Sequence, residues 1–329
     1  MFTHKIMKYS SIAFQLTRDC NANCKICCQS SKPLLNEKID TEIILKSINA
    51  IKDVANVKSI SITGGEPFLY PDDVLSIAKC CKQNGRQFTI ITNAFWCGSY
   101  AQTFDILSIL KENSLNTCFV SVDKFHQEFI HIECIKNMLR ACRELRIPVK
   151  IQASVTKSTF ADTDEIIKSI SDDKLNTLVL WTPVYPVGGA KAHFGQGDFY
   201  TTKLNNPRCQ YHNVLLVLSD GRVQPCCSPC FGIPLDYGNV YTDSLDKILK
   251  IAYENELMRE IASEGFERLI KEAKEEFGFT ELDAYVDACH LCNHLLGDPE
   301  RYAFLMEKSR SWRLQEERVT AVIRQFVGM

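Results

Sequence analysis

Ser11-Ile-Ala-Phe-Gln-Leu-Thr17 runs directly into Arg18-Asp-Cys20-Asn-Ala-Asn-Cys24-Lys-Ile-Cys27-Cys28. The first seven residues are apolar and β-prone, the mark of a short strand. The next eleven form a polar loop with thiols spaced C-x3-C-x2-C. The same unit, a strand and then a polar or glycine-rich segment, recurs down the first half of the chain. Strands are expected at 57–63, 86–92, 117–122, 147–155 and 175–181, with helical periods near 40–53, 72–84, 100–113, 128–145 and 160–171. A repeating βα pattern argues for parallel strands joined by helical crossovers. Six such strands fit an α/β fold of the partial (β/α)6 barrel kind better than a flat sheet. The polar segments Arg18 to Cys28, Gly64-Gly65-Glu66-Pro67, Thr92-Asn93-Ala94-Phe95, Ser121-Val122-Asp123 and Pro183 to Gly189 all follow strand ends. In parallel barrels that rim is where active sites are built.

The chain has 329 residues, 45% of them hydrophobic, enough for one large domain and a smaller appendage. Lys and Arg number 38 against 40 Asp and Glu, a formal charge of -2, which gives no basis for a nucleic-acid or membrane-surface partner. Residues 1–11 lack the apolar core of a signal peptide, and no apolar run approaches the roughly 18 residues of a membrane helix. The sequence therefore reads as cytoplasmic. Thiols stay reduced in that compartment, so the sixteen cysteines are read as ligands, reactive thiols or small core residues. Cys80, Cys81, Cys118, Cys134 and Cys142 sit among apolar neighbours and read as core. The rest form three clusters, Cys20 to Cys28, Cys209 to Cys230 and Cys289 with Cys292, leaving Cys97 alone.

Composition changes after Gly197. Residues 207–240 hold a strand pair, 213–218 and 222–225, turned at Asp220-Gly221, and 243–278 and 300–326 read as amphipathic helices. The expected organisation is a barrel over 1–199 and a smaller domain over 200–329 containing a β-hairpin and helices.

Three thiolates can cap three corners of a cubane cluster, whereas a structural zinc or a closed cluster usually takes four protein ligands. A zinc knuckle using Cys28 is the alternative, although adjacent cysteines rarely ligate one small ion together. An iron without a protein ligand is free to chelate an amino and a carboxylate group. At these residues the chain resembles the radical S-adenosylmethionine (SAM) superfamily, over roughly residues 11–190. The resemblance implies that Cys20, Cys24 and Cys27 hold a [4Fe-4S] cluster whose open iron binds SAM. It also implies that Gly64, Gly65, Glu66 and Pro67 are the glycine-rich SAM motif, where backbone without side chains approaches the methionine amino group. Thr92, Asn93, Ser121 and Asp123 are candidates to hydrogen-bond SAM, with turn or cap roles equally open to them.

Cys209, Gly221 and Cys226 in a C-x11-G-x4-C run resemble the opening of the auxiliary-cluster domain of the SPASM and twitch groups. Cys289-His-Leu-Cys292 supplies a second pair. The resemblance implies one further [4Fe-4S] cluster on Cys209, Cys226, Cys289 and Cys292, the twitch form, since no cysteine follows Cys292. Spacing alone also permits a structural zinc there. The CC ending at Cys28, Thr92 to Trp96, Ser121 to His126, Pro225-Cys-Cys-Ser-Pro229 and Cys289 to Cys292 together resemble the epipeptide-type radical SAM peptide epimerases. That resemblance implies conversion of an L- to a D-residue in a ribosomally made precursor peptide, with Cys227 as hydrogen donor. Cys230 is a second candidate donor, and His126 is either a substrate contact or a structural histidine. The implied partners are the precursor peptide, docking at the barrel mouth or on the C-terminal helices because only 19 residues precede Cys20, and a flavodoxin- or ferredoxin-type reductant. The other enzymes in view are a twitch maturase that crosslinks a peptide and a twitch dehydrogenase of a small alcohol.

Overall fold

The computed structural model describes residues 9–173, 177–210, 212–227 and 234–327. Six strands, β1 (Ser11–Thr17), β2 (Ser59–Gly64), β3 (Gln87–Thr92), β4 (Leu115–Ser121), β5 (Val149–Val155) and β6 (Leu178–Pro183), pair in parallel in chain order. Between them run α1 (Thr41–Ala50), α2 (Pro71–Gln83), α3 (Tyr100–Glu112), α4 (Ile132–Glu144) and α5 (Phe160–Ser169). This is the partial (β/α)6 barrel expected from the sequence. The sixth strand begins at Leu178 rather than 175, and part of the expected range lies outside the described residues. The fourth helix begins at Ile132 rather than 128, because His131 caps it through its side chain and residues 124–130 form a turn.

Alternation along the strands separates two faces. Ile12, Phe14, Leu16, Ile60, Ile62, Phe88, Ile90, Cys118, Val120 and Ile151 point into the main core beneath the helices. The opposite face carries Ser61, Thr63, Thr89, Thr117, Ser121, Gln152 and Ser154, none of them fully buried. An ordinary (β/α)8 barrel fills its interior with layers of branched apolar side chains. Here the inner face is mostly hydroxyl and amide, which suits a lumen that holds ligand.

After β6 come α6 (Gly188–His193), β7 (Val214–Val217) and β8 (Val223–Gln224), then α7 (Leu245–Tyr253), α8 (Glu256–Ser263), α9 (Glu267–Phe277), α10 (Ala288–Leu296) and α11 (Pro299–Val327). The hairpin exists, but it is no separate sheet. Strand β7 pairs in parallel with β1, Ser11 opposite Val214 and Phe14 opposite Val217, so among the described residues the sheet has eight strands in the order β6-β5-β4-β3-β2-β1-β7-β8. The signal was in the hairpin's apolar run, since Leu215, Leu216 and Val217 are all buried, as a strand needs when both of its faces are covered. The helical run 243–278 is three helices. Asn255 caps α8 by accepting from Met258 N, and Gly265, at φ +97°, turns the chain before α9. No described helix is long and apolar enough to cross a membrane.

Candidate functional site

The loop carrying Cys20, Cys24 and Cys27 is folded back on the strand that launches it. Arg18 pairs with Glu37 at 2.7 Å and donates to the Gln29 carbonyl. Cys20 N donates to the Lys32 carbonyl. Asp19, buried, accepts from Asn36 N at 2.8 Å and from the Tyr70 hydroxyl at 3.2 Å. Sequence reasoning passes over Asp19, which anchors the loop at both of its carboxylate oxygens. Two backbone amides aim at thiol sulfurs, Ala22 N at Cys20 (3.4 Å) and Ser31 N at Cys27 (3.2 Å). Such N–H groups favour thiolate. Burial, with Cys27 and Glu66 nearby, pushes the Cys20 thiol up to about 11. Burial likewise raises Cys24, with Asp123, Cys20 and Cys27 adding to it.

Gly64 and Gly65 serve this loop. A Cβ on Gly65 would stand 1.9 Å from the Asp19 carbonyl oxygen, and one on Gly64, at φ +152°, 2.4 Å from that of Thr17. Gly65 N donates to the Thr17 carbonyl at 2.7 Å and Glu66 N to that of Asp19 at 2.8 Å. The glycines are therefore required by the backbone of the cysteine loop, a reason the sequence alone does not offer. Gly188 and Gly189 do the same from the other side. A Cβ on Gly188, at φ +53°, would stand 2.3 Å from the Cys28 carbonyl oxygen, and Gly189 N donates to that of Cys27 at 2.9 Å.

Glu66 is fully buried, and burial pushes its carboxyl up to about 7 against the pull of three donors. Those donors are Phe68 N (3.0 Å), the Thr92 hydroxyl (2.7 Å) and Asn93 N (2.8 Å). Pro67 opens the short 3-10 turn that Glu66 caps. Asn93 donates to the Asn21 side chain at 2.9 Å and lies 3.8 Å from the Cys20 sulfur, so it braces the loop. Asp123 is completely buried. It accepts from Phe125 N, His126 N, His126 Nδ1 (2.8 Å) and Ser154 N (3.0 Å). His126 is thereby a structurally engaged histidine: burial lowers its pKa, but the Asp123 carboxylate outweighs this and leaves it raised. Ser121 remains half-buried on the lumen face at the end of β4.

Cys209, Cys226, Cys289 and Cys292 line one small pocket together with Gln224, Pro225, Leu235, Met258, Phe266 and Ala288. Cys209 precedes β7 and Cys226 follows β8, so the turn at Asp220-Gly221 does bring them to one end of the hairpin. Gly221, at φ +84°, makes that turn. By the register, that end is level with the start of β1, whereas the triad follows its finish, and β1 spans roughly 20 Å. Cys289 and Cys292 lie in the first turns of α10, whose N-cap Asp287 accepts from Cys289 N and His290 N. Burial first, then the other three thiols, raises Cys292 well above its ordinary value. Four thiols converging on one apolar pocket are the donor set of a closed metal centre, whose metal would offset the cost of burying them as thiolates. Among the described residues no group is drawn in closely enough to hold a single ion.

Cys227 is not among the residues that line this pocket. Of the described cysteines it alone is exposed. Desolvation by the surrounding protein pushes its thiol up to about 11, with Cys289 adding to it. Cys230 lies outside the described residues. Cys80, Cys81, Cys118, Cys134 and Cys142 are buried, and Cys97 is buried with them in the barrel core.

Comparison with known proteins matches residues 14–172 to the radical SAM superfamily and 209–293 to an iron-sulfur cluster-binding domain, SPASM. YydG of Bacillus subtilis (strain 168), a protein assigned to peptide biosynthesis, is 26% identical over 314 residues, covering 92% of this chain and 98% of its own. Streptococcus suis SuiB, solved bound to the precursor peptide SuiA, superposes with a TM-score of 0.56 at 18% identity, over 79% of this chain and 68% of that one. The structure of anSMEcpe with AdoMet and the peptide Cp18Cys gives 0.56 at 13% identity, over 92% and 99%.

Proposed function

We propose, from the premise that the chain belongs to the radical SAM superfamily and carries a SPASM-type iron-sulfur domain, that it inverts an L-residue of a ribosomally made precursor peptide. The cofactors of these domains are SAM and [4Fe-4S] clusters. In this reading Cys20, Cys24 and Cys27 hold the cluster that binds SAM, and Cys209, Cys226, Cys289 and Cys292 hold a closed second one. Bound at Cys20, Cys24 and Cys27, such a cluster would supply the reducing power for radical cleavage of SAM, the chemistry that activates a carbon–hydrogen bond.

The chain's own residues position the reactants and return the hydrogen. Asp19, Gly64, Gly65, Gly188 and Gly189 fix the triad loop against the barrel rim. Ser121, Gln152 and Ser154 give the lumen polar partners for the nucleoside and the peptide backbone. Inversion requires hydrogen to leave one face of Cα and a different hydrogen to arrive at the other. Cys227 is the donor: its S–H bond breaks, a Cα–H bond forms, and the sulfur is left one electron and one proton short. A flavodoxin- or ferredoxin-type reductant and a solvent proton restore the thiol.

The observation that carries this reading is that Cys227, next to the proposed ligand Cys226 in sequence, is the one exposed thiol among the described cysteines. A precursor peptide as substrate is supported by the likeness to YydG and by the peptide seated in SuiB. Product mass tests the reaction. Epimerisation leaves the peptide mass unchanged and yields a D-residue on chiral analysis of the hydrolysate. A product two hydrogens lighter would make the enzyme a crosslinking maturase or a dehydrogenase instead.

A further inference from the structure

The two cysteine sites are joined by a short strap that the chemistry of neither site uses. Val184, Tyr185 and Val187 leave the end of β6, all buried, and lead into Gly188 and Gly189, which press on the Cys27 and Cys28 carbonyls. From the same segment the Tyr185 hydroxyl, 102 residues away in sequence, donates to Asp287 Oδ2 at 2.5 Å. The other oxygen of that carboxylate accepts from Cys289 N at 2.8 Å and His290 N at 3.3 Å. One carboxylate thus faces the strap with one oxygen and the cysteine-bearing helix with the other.

A helix cap alone explains only half of this arrangement. An Asn or Ser would cap α10 as well, and neither would need a phenol on its second acceptor. A carboxylate beside an iron-sulfur centre stabilises the oxidised, less negative state, while a donor to that carboxylate draws its charge away. The two residues therefore act on the centre in opposite senses.

We propose that Tyr185 and Asp287 are a positioning pair that ties the triad loop to α10 and sets the reduction potential of the second cluster. This rests on the reading that Cys209, Cys226, Cys289 and Cys292 hold a cluster, and it is independent of the peptide reaction. Asp287→Asn keeps a capping oxygen and removes the charge. Tyr185→Phe keeps the buried ring and removes the donor. The test is an anaerobic redox titration of the cluster-loaded protein and both variants, read by electron paramagnetic resonance at each cluster, after iron and zinc are counted. The expected result is a second-cluster potential that rises in Asp287→Asn and falls in Tyr185→Phe, with the SAM-binding cluster unmoved. Shifts of the same sign, no shift, or an equal shift at both clusters would overturn the proposal, since loosened packing alone gives no opposite signs. One zinc and four irons per chain would instead remove the second cluster, a separate failure that the metal count reveals first.

Discussion

The triad loop and the four-thiol pocket are built by opposite means. The triad comes from eight consecutive residues, 20–27, and its shape is imposed from outside by glycines: the Asp19 carbonyl occupies the space a Cβ on Gly65 would need, and the Cys28 carbonyl that of one on Gly188. The pocket gathers thiols from three segments, before β7, after β8 and at the head of α10, and is closed by Leu235, Met258 and Phe266. A loop held by backbone contacts can leave one face open. A pocket whose walls are its own ligands and core side chains cannot. Openness suits a centre that must meet a second molecule, and closure suits one that transfers electrons or stabilises the fold.

The comparison breaks most visibly if the two sites prove interchangeable. Changing Cys20, Cys24 and Cys27 together to Ala is expected to abolish 5'-deoxyadenosine formation while about four irons remain, because one complete cysteine set survives. Residual SAM cleavage in that protein would move the radical centre to the pocket. Cys292→Ala is expected to act on the fold as well. Metal binding to a closed set is coupled to local folding, so the variant should be poorly soluble, with α10 losing hydrogen-exchange protection. Full solubility with an unchanged iron count would show that Cys292 is not a ligand.

Gly65→Ala sharpens the claim that the loop is shaped by close approach. The clash is with backbone, which has little freedom to give, so a cost of at least about 2 kcal/mol is expected, together with loss of iron from the first site alone. Normal iron content in Gly65→Ala would return the glycine to the role read from the sequence, room for the methionine amino group.

Glu66→Gln should cost less, on the order of 1 to 2 kcal/mol, because an amide cannot accept from all of Phe68 N, Thr92 and Asn93 N. The pH dependence has a definite sign. With the folded carboxyl raised to about 7 from 4.5, its contribution to stability is fully present below pH 4.5 and is lost as pH rises through 7. Melting temperatures of metal-free protein should show the advantage of the parent over Glu66→Gln shrinking between pH 5 and 8. A gap that widens over that range would contradict the burial argument.

The barrel is legible in the sequence because its strands alternate cleanly and its polar segments fall at strand ends, and all six strands lie at or within a few residues of the expected positions. The triad is legible from local spacing. The pocket is not, since 209, 226 and 289 are brought together only by tertiary structure, and resemblance has to supply the grouping. The pairing of β7 with β1 shows in the sequence only as the apolar run Leu215 to Val217, because a hairpin signal describes its own two strands and says nothing of a third. Asp19, Tyr185 and Asp287 are hidden because single polar residues at loop ends look like ordinary turn or cap residues until their partners are seen. Gly188-Gly189 reads only as part of a polar rim, although it is a glycine pair after a strand just as Gly64-Gly65 is.

The donor role of Cys227 is tested most directly by turnover in D2O with the parent protein and Cys227→Ala. Its thiol hydrogen exchanges with solvent, so the parent should place one deuterium at the inverted Cα and none in unreacted L-peptide. Cys227→Ala should still form 5'-deoxyadenosine while D-residue formation collapses. Normal epimerisation by Cys227→Ala, with deuterium still entering Cα, would contradict the account and pass the role to another donor, with Cys230 the next to change.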